Sequence, residues 1–82
     1  MRHTIFGVHI NHRVENVPAV QAVFTKYGCN IHARLGLHDA DMTSCSPSGL
    51  VLIDAFGAEV EDFFKELKGL KGVDVQRMDF ED

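Results

Sequence analysis

Five histidines and two cysteines are the side chains of this sequence with the chemistry to hold a soft metal. Such a site needs imidazole nitrogen and thiolate sulfur brought together, and His38 with Cys45, seven positions on, is the pair that offers both. His9 and His12 stand three apart, which on a strand turns them to opposite faces, so they form no clamp. His3 and His9 share a face with His32 and His38, but a strand is expected to lie between the two that carry them. No ligand set has the close spacing that marks zinc sites. The plainer reading is a group of surface histidines, with Cys29 as an isolated small hydrophobe.

A second chemistry lies in Asn11-His12-Arg13-Val14-Glu15-Asn16, a polar loop running into a helix start. Backbone N–H groups and Arg13 together could hold a small anion there; the same letters also make a plain connection with an Asn cap. Catalysis finds less support. No nucleophile sits in a recognisable strained turn or glycine-rich loop, and Asp54 has no second carboxylate at a defined spacing. The expectation is a non-enzymatic protein without a cofactor.

The elements that would position these groups follow from periodicity. His3 to His12 alternates, with Phe6, Val8 and Ile10 on one face and His3, Ile5, Gly7, His9 and Asn11 on the other. The chain is organised around the next stretch, Asn16 to His38. There Asn16 reads as a helix N-cap and Pro18 falls in the first turn. Val17, Val20, Phe24 and Tyr27 form an apolar stripe, and Gly28 is expected to end the helix in a left-handed conformation. The period then becomes two, which assigns Ile31, Ala33, Leu35 and Leu37 to the helix-covered side. Asp39 to Gly49 reads as a flexible hairpin loop. Leu50 to Phe56 is apolar on both parities, a central strand. Ala58 to Leu70 is a helix with the stripe Val60, Phe63, Phe64 and Leu67, its acids at the N-terminal end and its lysines towards the other, as the macrodipole favours. Gly69 or Gly72 ends it, and a last strand begins at Val73 and fades into the acidic tail.

This order predicts an α+β, ferredoxin-like βαββαβ sandwich: a four-stranded antiparallel sheet, order 4-1-3-2, with both helices on one face. Residues 1–82 make a single domain. Ile5 and one parity of Leu50 to Phe56 then lack a helix to cover them, so a homodimer or dimer of dimers is expected. A chain of 82 residues is also marginal alone. A net charge of −4 argues against direct nucleic-acid binding. No long apolar run suggests a membrane span, and two cysteines without C-x-x-C spacing fit a cytoplasmic protein.

Read in order, Phe6-Gly7-Val8-His9-Ile10, Val14-Glu15-Asn16, Lys26-Tyr27-Gly28-Cys29-Asn30-Ile31, Ala33-Arg34-Leu35-Gly36-Leu37 and Leu67-Lys68-Gly69-Leu70-Lys71-Gly72-Val73 carry a resemblance. The chain resembles the small family of iron-only hydrogenase system regulators, ACT-like domains akin to the C-terminal domain of the nickel-responsive repressor. The resemblance implies a regulatory or sensing module that binds a small ligand at a protomer interface. The ligand region would be the first loop and the start of the second strand: Asn11, His12, Arg13, Asn16, Asn30 and His32. The Pro-Gly of amino-acid-binding ACT loops is replaced here by Val14-Glu15-Asn16. Likeness to the nickel repressor extends only to His38 and Cys45 as an alternative metal pair, and its DNA-binding segment is missing.

Overall fold

The computed structural model describes the backbone of residues 2–11, 13–40 and 45–81, and the side chains of residues 2–11, 16–37 and 49–81. The elements are β1 (Arg2–Ile10), α1 (Arg13–Lys26), β2 (Ile31–Ala40), β3 (Cys45–Ala55), α2 (Val60–Lys68) and β4 (Val73–Glu81). The strands form one antiparallel sheet in the order β2-β3-β1-β4. This is an α+β fold compatible with a ferredoxin-like sandwich.

The core is a single layer between the sheet and both helices. Phe6, Val8 and Ile10 of β1, Ile53 and Ala55 of β3 and Val75 of β4 meet Val20, Val23 and Phe24 of α1, Tyr27 beyond it, and Val60, Phe63 and Leu67 of α2. Phe63 lies at its centre. Its ring is edge-on to Phe6 (5.2 Å) and Phe24 (6.3 Å) and stacked on Tyr27 (4.8 Å, 8°), arrangements that the ring quadrupoles favour.

Several expectations change. α1 begins at Arg13, so Asn16 lies within the helix and is not its cap, and Pro18 is interior. Proline has no N–H, so the Val14 carbonyl cannot receive its usual helical bond from residue 18. Gly28 is not left-handed; the positive-φ glycines are Gly49, Gly57 and Gly72. The helix closes instead through a 3₁₀ turn, Gly28–Asn30. The reading of Asp39 to Gly49 as loop shortens: His38, Asp39 and Ala40 pair with Pro47, Ser46 and Cys45 in a continued ladder, leaving only residues 41–44 outside the described ones.

The larger correction concerns which way the edge strands face. Directly opposed residues share a face. Ile31 is opposite Ala55, on the helix side, but the register then shifts, and Ala33 is opposite Asp54 and Leu35 opposite Leu52. This bulge turns Ala33 and Leu35 to the open side, leaving Leu35 57% exposed. β4 runs on through Glu81 where a fading strand was expected. Its alternation keeps Val75 inward but next places Arg77 and Asp79 on the helix side, so Met78 and Phe80 point outward opposite Ile5 and His3. The open face thus carries Leu35, Leu52, Ile5, Met78 and Phe80 across all four strands.

Because Phe63 joins both helices to the sheet, Phe63→Ala is expected to cost about 3–5 kcal/mol. Urea unfolding followed by circular dichroism measures it; a loss below about 1 kcal/mol would contradict the central role.

Candidate functional site

The chain direction decides where the six candidate residues fall. Asn11 follows β1, and α1 then returns along the sheet for 14 residues, about 20 Å, before β2 begins. Asn11, His12, Arg13 and Asn16 therefore lie at one end of the sheet, Asn30 and His32 at the other. One chain does not bring these two groups together.

At the first end the Asn11 N–H donates to the Gly72 carbonyl at 2.8 Å, and the Asn16 amide donates to the Asn11 carbonyl. Gly72 has φ +75°, and a Cβ there would collide with the Asn16 amide. The Asn16 side chain thus holds the β1–α1 turn against the start of β4. Arg13 opens α1, but its side chain and all of His12 lie outside the described residues.

At the other end Asn30 has a matching role. Its Nδ2 donates to the Phe56 carbonyl (3.1 Å) and to Glu59 Oε2 (2.9 Å), and its carbonyl accepts from the Phe56 N–H (2.9 Å). Gly57 sits beneath it at φ +100°, where a Cβ would approach the amide to 2.8 Å. Both Asn30 amide hydrogens are engaged, so Asn30 clamps the β3–α2 turn. His32 is exposed, its ring edge-on to Phe56 at 5.9 Å.

For the metal alternative, the side chains of His38 and Cys45 lie outside the described residues, although their backbone does not. His38 pairs with Pro47 and Ala40 with Cys45, which makes positions 38 and 45 diagonal neighbours in the ladder. Among the described residues no group of three or more His, Cys, Asp or Glu could hold a metal ion. β3 separates β1 from β2, so His3 and His9 do not adjoin His32.

The perturbed titrating groups stand in two internal networks that periodicity alone did not reveal. Between the helices, the Tyr27 hydroxyl donates to Glu66, and Lys26 Nζ is 2.9 Å from the same carboxylate. The Glu66 hydrogen bond, then burial, push the Tyr27 hydroxyl up to about 12, while Tyr27 and then Lys26 hold Glu66 below its usual value. On β4, Arg77 donates to Asp79 (2.8 and 3.0 Å) and to Glu61 (3.1 Å), with its guanidinium over the Phe64 ring at 4.9 Å. Arg77, and next the Thr4 hydroxyl at 2.8 Å, hold Asp79 well below the carboxylate range. The signal for this network was the polar pair Arg77 and Asp79 continuing the inward parity of Val73 and Val75.

No family model matches the chain, and no curated protein does. Among solved structures, that of the uncharacterized protein TM1266 from Thermotoga maritima is similar, with a TM-score of 0.71 at 12% identity, covering 99% of this chain and 100% of that one. At this identity the likeness is one of fold. Among the described residues no helix is long and apolar enough to cross a membrane.

Two titrations test the networks. Tyr27 is the only tyrosine and there is no tryptophan, so phenolate absorbance near 295 nm reports it alone. Its midpoint is expected near 12, falling towards the ordinary ~10 in Glu66→Gln. A raised acid pKa stabilises the fold fully below the unfolded value of ~10, and that stability is lost as pH rises through the folded value. Asp79 has the opposite sign. Its lowered folded pKa contributes stability above the unfolded ~3.9, lost as pH falls through the folded value. Denaturation midpoints for Asp79→Asn should therefore fall less steeply below pH 4 than those of wild type.

Proposed function

We propose that this protein is a non-enzymatic, ACT-like regulatory module that binds a small anionic ligand where two protomers meet, linked to an iron-only hydrogenase system as the resemblance implies. The observation that carries the reading is the placement of its two polar turns at opposite ends of one chain. A ligand touching both must lie between copies, with the Arg13 end of one protomer facing the Asn30–His32 end of another. The amides of Asn16 and Asn30 hold these turns in shape, and Arg13, the first residue of α1, supplies positive charge for a carboxylate or similar group. That Tyr27, Glu66, Arg77 and Asp79 are all engaged in internal pairs supports binding over acid–base chemistry. The module acts in the cytoplasm.

The ladder adjacency of positions 38 and 45 favours a second reading, a nickel-type metal sensor. Titration with nickel, cobalt and zinc separates the two: the metal reading requires binding that is lost in His38→Ala and Cys45→Ala but kept in Arg13→Ala.

A thermal-shift screen of small carboxylates, nucleotides and inorganic anions is the primary test, since a ligand at ~100 times its dissociation constant adds ~2.7 kcal/mol of stability. Arg13→Ala is expected to weaken the hit about ten- to a hundredfold by calorimetry, with fold and assembly intact. Equal affinity in the variant would remove Arg13 from the site. A screen without any hit, on a protein that still assembles, would leave a structural oligomerisation unit.

A further inference from the structure

The geometry points to the open face of the sheet as the docking surface for a second copy of this chain, with Ile5 of each copy seated in a dent over the partner's Gly7. Only the expectation of self-assembly is taken from the functional reading; the ligand is not. Leu35, Met78 and Phe80 are 57%, 55% and 54% exposed on this face. Between them runs a shallow groove lined by Ile5, Gly7, Leu52, Gln76, Arg77 and Met78. Four strands of about 30 Å, about 4.8 Å apart, present roughly 550 Å². Two such faces bury about 1,100 Å², above the ~1,000 Å² that a specific interface needs.

Arg77 turns its guanidinium away to Glu61 and Phe64 on the helix side. Among the described residues no outward-pointing strand side chain is Lys or Arg, while Asp54 and Asp74 point outward, which disfavours a nucleic acid or an anionic membrane as occupant. A second copy fits the relief. Ile5 and Gly7 point the same way one pleat apart, a knob beside a dent. A two-fold axis crossing β1 at Phe6 exchanges their heights, so each Ile5 lies over the partner's Gly7. This is the self-complementarity that an isologous interface requires.

Gly7 also makes the idea testable without harming the monomer. A Cβ at residue 7 would meet only Leu52 Cδ2, at an ordinary 4.0 Å, and valine suits a strand. Sedimentation equilibrium of the full chain from 1 to 200 µM is the experiment. Wild type is expected to dimerise. Gly7→Val, filling the dent, should weaken the dimer about a hundredfold while keeping the monomer's circular dichroism spectrum. The double variant Ile5→Ala with Gly7→Val exchanges knob and dent and should regain most of the affinity. A wild type that stays monomeric at 200 µM would remove self-assembly altogether. A dimer as tight in Gly7→Val as in wild type would keep self-assembly but place it away from this face, and the proposal would fall.

Discussion

The ring of Phe63 is the contact on which the structure depends. It touches Phe6 on the sheet, Phe24 on α1 and Tyr27 just beyond it, so one side chain of α2 fixes both other parts of the core. In a chain of this size one apolar layer must supply nearly all the burial. Two helices suffice to cover one side of a four-stranded sheet and no more. Everything distinctive about the molecule follows from what happens to the other side.

On that other side the two edge strands behave alike by different means. β2 turns Ala33 and Leu35 outward through a bulge, which shifts their register by one residue. β4 keeps perfect alternation but changes residue type, so that Arg77 and Asp79 take inward positions and Met78 and Phe80 outward ones. The inward charges are tolerated because they are paired and lie near the rim of the layer: Arg77 bridges Asp79 and Glu61 and lies over Phe64, and Thr4 completes Asp79. A lone charge at such a position would carry a desolvation cost that this network avoids.

The polar turns at the ends of the sheet share a device. In each, an asparagine amide bonds a neighbouring carbonyl while lying over a positive-φ glycine: Asn16 over Gly72 and Asn30 over Gly57. Any side chain at either glycine would displace the amide, so turn shape and asparagine geometry are coupled. This ties the rigidity of each turn to a single pair of residues, and it keeps the backbone around Arg13 and His32 in place at opposite ends of the sheet.

Element order, the inner face of β1 and the helix stripes were legible in the sequence, because apolar periodicity is a local property: Phe6, Val8 and Ile10, or Val60, Phe63 and Leu67, announce their burial by spacing alone. The candidate residues were legible as residue types but not as a site. Whether Asn11 and Asn30 are neighbours depends on the path of α1 between them. Nor did periodicity disclose that Leu35 faces outward, since a bulge is defined by the partner strand's register and leaves no mark on the alternation itself. The outward turn of Met78 and Phe80 required knowing that β4 continues past Val75, which its pairing with β1 decides. Local pattern determined what each element is; hydrogen-bond register between distant strands decided which way it faces.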